Sequence, residues 1–418
     1  MSDIADVGGE DMKKLGKWMI GAALLCSLST NVVTNVEDKA ASYAYEIACE
    51  EDACISVGAV AKDALHMRGK SAYMMDFSTK TPMYAYNEKE RLPIASMCKI
   101  MTLLLSFDAI EEGTLDIHEE ICVSERAASM GGSQVFLEAN AKYSVYNLIK
   151  SIVVCSANDS CVAMAERIAG SEALFVDKMN DKAQEIGAED TLFANCTGLP
   201  KEPQYSCAKD VAIMLRSLLE HEKYYEFGKV WMDKFEHPKG RYTEISNTNK
   251  LVRFYDGCDG GKTGFTNEAG FCLAATAKRN DLRIISVVIG EETSSNRFDD
   301  VRTMFDYAFA NYTNALVAEE NTALEQPLPV SGGKEKTVNV CPSRSMYSLQ
   351  KRGETSKYQV EAHFDRTAAP IEKGERVGEM ILFREGVEVD RVDLLAMESV
   401  RKANIFDRLQ EIARNWNG

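Results

Sequence analysis

An α+β fold is predicted, with helices and an antiparallel sheet sharing one domain over about 44–312 and a small β-rich domain behind it. Three observations predict it. Alternating or continuous apolar stretches of strand length stand near both ends of the first segment, at 71–86 and 264–290. Between them lie apolar-periodic runs of helical length. After a Pro- and Gly-bearing stretch at 321–333, the pattern turns to short alternating strands. The expected divisions are a lead over 1–40, a first domain over 41–318, a β-rich domain over 330–396 and an amphipathic helix over 397–418.

At the N-terminus, Lys13, Lys14 and Lys17 precede an apolar run from Trp18 to Leu28. The run is shorter than the roughly 20 residues a spanning helix needs. With the small-x-small site Ser27-Leu28-Ser29 it reads as a cleavable export signal. The acidic residues ahead of it suit Met12 as an alternative start. Leu25 before Cys26 speaks against a lipoprotein anchor.

The segment Ser71–Tyr86 reads as a hairpin turning through Ser78–Pro82. A helix follows, with Ser96 near its start just after Pro93. Met97, Ile100, Met101, Leu103, Leu104 and Leu105 make it apolar nearly all round, so it is expected to be buried, with Gly113 as its stop. Residues 144–169 read as helical, interrupted at Ser156-Ala157-Asn158; 208–219 and 298–311 are further helices. Residues 264–276 and 282–290 read as one strand hairpin turning at Arg279-Asn280-Asp281. In the tail, Tyr358–Phe364, Met380–Phe383 and Val387–Leu395 are strands. Ile405, Leu409, Ile412 and Trp416 form a stripe on the last helix.

The formal net charge of -16 excludes nucleic acid as an expected partner, because phosphate binding needs clustered Lys and Arg. The 12 cysteines are scattered, without Cys-x-x-Cys or a histidine at ligand spacing, so neither metal nor other cofactor is expected. Cys98, Cys155 and Cys258 lie in or beside the motifs described next, and most cysteines are read as reduced, buried, small apolar side chains.

Three motifs carry chemistry: Ser96-Met97-Cys98-Lys99, Ser156-Ala157-Asn158 and Lys262-Thr263-Gly264. Residues three apart on a helix share a face, so Ser96 Oγ and Lys99 Nζ can meet. A serine hydroxyl needs a base to become a nucleophile, and a buried lysine beside a second cation can be that base. Lys262 can supply the cation. Ser156 is placed to pass a proton to the leaving group, and Asn158 to hold Lys99 and a substrate amide. Lys262 and the Thr263 hydroxyl can meet a carboxylate, and Gly264 permits close backbone approach. Singly the motifs are weak. Ser-x-x-Lys recurs at Ser206–Lys209 and Ser331–Lys334, and Ser-x-Asn at 29–31 and 294–296. Their order and context give the set its force.

The set is a known combination in penicillin-binding proteins and β-lactamases. The stretches Leu92–Lys99, Gly131–Leu137, Ser156–Glu166 and Asp259–Thr266 resemble those of serine-type D-Ala-D-Ala carboxypeptidases, the low-molecular-mass penicillin-binding proteins. The resemblance covers about 44–312. It implies a β-lactamase/transpeptidase-like catalytic domain, an antiparallel sheet with helices on both sides, and the tail is similar to the family's second domain. It further implies an oxyanion hole from the backbone N–H groups of Ser96 and Phe265, and an arginine for the terminal carboxylate, for which Arg297 is the candidate against a plain solvated surface charge. Many members carry histidine where Phe265 stands. The implied partners are a peptidoglycan stem peptide ending in D-Ala-D-Ala and β-lactams as covalent inhibitors. An exported, cell-wall location is implied, with peripheral membrane contact through the last helix or docking of that helix on the β-rich domain as alternatives. Two other activities compete: a β-lactamase of related fold, disfavoured by the lack of Glu-x-x-x-Asn between the second and third motifs, and a non-catalytic wall-binding protein, disfavoured by the intact serine and lysines.

Overall fold

The computed structural model describes residues 42–45, 65–353, 358–384 and 386–409. The expected export signal lies outside these residues, as does 410–418 of the expected terminal helix.

The central sheet has five strands: β1 (Ser71–Asp76), β2 (Pro82–Tyr86), β3 (Cys258–Thr266), β4 (Gly270–Arg279) and β5 (Leu282–Glu291). They run in the order β2-β1-β5-β4-β3, each antiparallel to its neighbour. Side chains alternate between two cores. Tyr73, Met75, Ile285 and Val287 join one; Ala72, Met74, Ile284 and Val288 join the other. The first core is filled by the helices α1 (Lys99–Glu111), α2 (Val145–Cys155), α3 (Asn158–Ala169) and α4 (Ala208–Leu219). The second is closed by α5 (Ser294–Asn311) through Phe298, Val301, Met304 and Phe305. With helices on both faces, every residue of β5 is buried, which is why its sequence reads as one apolar run rather than an alternation. Each fully buried Ile, Val or Phe contributes about 1.5–3 kcal/mol relative to an exposed one.

The 264–276 segment is two strands, not one. Thr266 Oγ1 accepts the Ala269 N–H at 3.1 Å, Gly270 takes φ +67°, and the chain reverses between them. The strand that the sequence suggests from 264 begins earlier, at Cys258, so Lys262-Thr263-Gly264 lies within β3. Here Gly261 stands at φ +125° beside a register shift, with its N–H donated to the Tyr224 hydroxyl at 2.8 Å. A Cβ on Gly261 would stand 2.3 Å from the Ala274 carbonyl oxygen, so no other residue fits there.

The tail is a second five-stranded sheet, ordered Ser42–Tyr45, Tyr358–Phe364, Arg376–Arg384, Val387–Ala396 and Val340–Pro342. Its edge strand Ser42–Tyr45 belongs to sequence expected to open the first domain; four residues of extended chain do not reveal which open sheet edge they will join. The last helix also differs from its expected bounds. Residues 397–404 are not helical: Val400 pairs with Ile371 and Lys402 with Gly333. The helix begins at 405, where Asn404 Oδ1 accepts the Asp407 N–H and Asp407 Oδ2 accepts the Asn404 N–H, a reciprocal cap at 2.8 and 3.0 Å.

Candidate active site

Ser96 sits half-buried in a single 3₁₀ turn, Ala95–Cys98, that leads into α1. The turn is forced into place from two sides. Ala95 takes φ +47°, a left-handed conformation that costs a residue with a Cβ on the order of 1–3 kcal/mol. Gly198 packs against it so closely that a Cβ there would lie 2.0 Å from the Ala95 carbonyl oxygen. A Cβ on Gly264 of β3 would come within 2.6 Å of the Ile94 carbonyl oxygen. Two glycines thus let a loop and the free edge of the sheet close on the serine turn.

Lys99 is the first residue of α1 and is fully buried. Its Nζ donates to Ser96 Oγ at 2.9 Å and to the Thr197 carbonyl at 2.5 Å. The pair that helix spacing predicts is therefore made. Lys262 is buried too, with Nζ donating to the Thr263 carbonyl at 3.1 Å. Neither amine has a carboxylate partner among the described residues. Burial lowers the pKa of both, and the Lys99 charge presses Lys262 further, well below the ordinary lysine range. Two unpaired ammonium groups this deep cannot both be charged cheaply.

The Ser-x-Asn motif is the break between two helices. Cys155 ends α2, Ser156 takes φ +66° and ψ +34°, and Asn158 starts α3. The break turns two polar side chains out of the helical ladder without exposing them. Ser156 Oγ and Asn158 Oδ1 are buried with no hydrogen-bond partner among the described residues, and such atoms in a folded protein call for a ligand or water. The Asn158 amide donates to the Gly131 carbonyl at 2.7 Å, and Asn158 N–H to the Ser133 carbonyl at 2.7 Å. The buried Asp159 carboxylate, its pKa raised by desolvation, accepts the Val135 and Leu137 N–H groups and holds that strip in place.

Asn158 does not hold Lys99, contrary to the expectation from sequence. The Thr197 carbonyl does, on a loop outside the three motifs. Asn195 Oδ1 accepts the Thr197 and Gly198 N–H groups at 3.1 and 2.7 Å, and Thr102 Oγ1 of α1 donates to the Cys196 carbonyl at 2.7 Å. Asn-x-Thr-Gly is a loop signature whose asparagine closes its own backbone, a signal present in the sequence. Beside this loop and the serine turn lies a hollow lined by Ile94, Ala95, Gly198 and Thr266.

Thr263 is buried in β3 and Phe265 is 51% exposed two residues on. Arg297, in the first turns of α5, is only 8% exposed and so is not a solvated surface charge. Its guanidinium donates to the Gly264 and Cys272 carbonyls at 3.1 and 3.4 Å. β3 thus brings the third motif against the serine turn and Arg297, and Lys262 feels the charge of Lys99 and is itself felt at Cys155, the neighbour of Ser156. The decoy serine Ser206 is occupied elsewhere, hydrogen-bonded to Thr191 Oγ1 at 2.8 Å.

Residues 58–293 match the family model described as D-alanyl-D-alanine carboxypeptidase, which covers all three motifs and ends just before Arg297. The chain belongs to that family. Residues 312–402 match the model for the C-terminal domain of penicillin-binding protein 5. Among curated relatives, the D-alanyl-D-alanine carboxypeptidase DacF of Bacillus subtilis is 39% identical over 350 residues, 83% of this chain and 90% of its own. Among solved structures, PBP3 of Streptococcus pneumoniae, described as a peptidoglycan synthesis regulatory factor, aligns with a TM-score of 0.67 at 26% identity, covering 80% of this chain and 100% of its own. Penicillin-binding protein D2 of Listeria monocytogenes in its ampicillin-bound form aligns at 0.53 and 27% identity, covering 59% of this chain and 99% of its own. The fold is that of penicillin-binding proteins, and the activity is that of the family, a serine-type D-Ala-D-Ala carboxypeptidase working through an acyl-enzyme.

Proposed function

We propose that Ser96 is the nucleophile of this reaction and Lys99 its base. Ser96 Oγ attacks the carbonyl carbon between the two terminal D-alanines of a stem peptide, and its proton passes to Lys99 Nζ. The C–N bond breaks, Ser156 relays a proton to the departing amine, and D-Ala leaves with Ser96 held as an ester. Water then cleaves the ester and restores the hydroxyl. The backbone N–H groups of Ser96 and Phe265 stabilise the oxyanion. Asn158 Oδ1 receives a substrate amide N–H. Lys262, Thr263 and Arg297 receive the terminal carboxylate, whose arrival fixes a proton on Lys262 and leaves Lys99 neutral. The observation carrying this reading is the Ser96–Lys99 hydrogen bond inside a buried pair of amines that no carboxylate among the described residues neutralises. β-Lactams acylate the same serine, a reading supported by the ampicillin-bound relative. Steady-state turnover tests it: a D-Ala-D-Ala peptide is cleaved faster than nitrocefin. The reverse ranking would make the protein a β-lactamase.

The basic, apolar N-terminal segment directs export to the wall side of the cytoplasmic membrane. The last helix contacts that membrane. Ile405, 75% exposed, and exposed Leu409 support this, since they begin the apolar stripe read from the sequence, with Phe406, also 75% exposed, beside it. Among the described residues, no helix is long and apolar enough to cross a membrane. A chain ending at Asn404 keeps Val400 in the tail core and loses only the helix. It is expected to stay in the supernatant when the full chain sediments with liposomes; equal sedimentation removes the membrane role.

A further inference from the structure

Behind the free edge of β3, Arg297 is stacked against two phenylalanine side chains, Phe265 and Phe271, to which the reaction above gives no part. Phe265 and Phe271 face each other across β3 and β4, with ring centroids 4.2 Å apart and an interplanar angle of 27°. The Arg297 guanidinium carbon lies 5.4 Å from the Phe271 centroid and 4.9 Å from that of Phe298, so two aromatic rings flank the cation. Its remaining hydrogen bonds go to neutral groups: the Gly264 and Cys272 carbonyls and, at 3.4 Å, Ser294 Oγ. Arg297 Nε is buried with no hydrogen-bond partner among the described residues. An arginine that is nine-tenths buried and, among the described residues, lacks a carboxylate and keeps an unused N–H is an anion receptor held ready.

We propose that Phe271 is a positioning residue for Arg297, and that the Phe265–Phe271 stack sets selectivity for peptides ending in a free carboxylate. This rests on the reading that Arg297 receives that carboxylate. The ring face of Phe271 attracts the guanidinium and limits its rotation, while Phe265 covers the outer face of Phe271 from solvent. With water kept from one side, a carboxylate meeting Arg297 does so at lower effective dielectric, where the charge pair is stronger. Burial already pulls the guanidinium pKa down to about 10, as expected of a cation that gains most when an anion arrives. An imidazole at position 265 would bring its own polar atoms and water to this surface; phenylalanine brings neither.

Two peptides identical except for a terminal free acid or a primary carboxamide separate these roles. The quantity read is the ratio of their kcat/KM values, which does not depend on the folded fraction of a variant. Arg297→Met is expected to collapse the ratio. Phe271→Leu, which keeps bulk but loses the π face, is expected to lower it about fivefold, chiefly through KM for the acid. Phe271→Trp restores it. A collapsed ratio in Arg297→Met with an unchanged one in Phe271→Leu overturns the positioning role alone. An unchanged ratio in Arg297→Met overturns the carboxylate reading beneath it.

Discussion

Ser96→Ala is expected to lower D-Ala release from a D-Ala-D-Ala peptide by about ten-thousandfold or more, and Lys99→Met by a comparable factor. The two groups work as one unit: an attacking oxygen and the amine that takes its proton, 2.9 Å apart. Their effects should not multiply. Once either is gone the other has no partner in the reaction, so the double variant should be about as slow as the slower single one. Initial rates of D-Ala release on the three variants check this. Multiplying effects would mean that serine and lysine act in separate steps. Neither change should unfold the chain. Ser96 is half-buried at a helix entrance, and methionine at 99 fills the lysine channel without a charge.

The pH profile of kcat/KM is the second large effect. Lys99 acts as a base only when neutral, so activity rises with pH as the buried pair loses its first proton. Burial lowers the pKa of both amines, which puts this rise below the ordinary lysine range near 10.4. Activity falls again when the second proton leaves, because the cation that meets the substrate carboxylate is then lost. The two limbs belong to the pair rather than to either lysine alone. Lys262→Arg supplies a cation that does not titrate in this range, so the alkaline fall should vanish while the acid limb remains. An alkaline fall kept unchanged in Lys262→Arg would place that ionisation elsewhere.

Much of this was legible in the sequence because it is local. The Ser96–Lys99 contact follows from helical spacing, and the burial of α1 from its apolar circumference. The interruption at Ser156-Ala157-Asn158 was visible as a break in an apolar pattern, although the left-handed backbone at Ser156 was not. What was not legible is long-range. The Thr197 carbonyl reaches Lys99 across 98 residues of chain, and no spacing rule links a backbone oxygen to a motif. The role of Gly198 is visible only against Ala95, whose carbonyl occupies the space a Cβ would need. The stack of Phe265, Phe271 and Arg297 depends on the register of β3 and β4, which the sequence blurred by hiding the turn at 267–269. Gly260 and Gly261 lie inside β3 and let it pass close to Tyr224 and β4, contacts that only the fold reveals.

The account stands on Ser96 being the residue that becomes acylated. Brief exposure of the folded protein to penicillin, followed by digestion and mass spectrometry, reads this directly. The expected result is one penicilloyl group, on the peptide containing Ser96, absent from Ser96→Ala. An adduct on another serine, or none on a folded protein that still releases D-Ala, would contradict it.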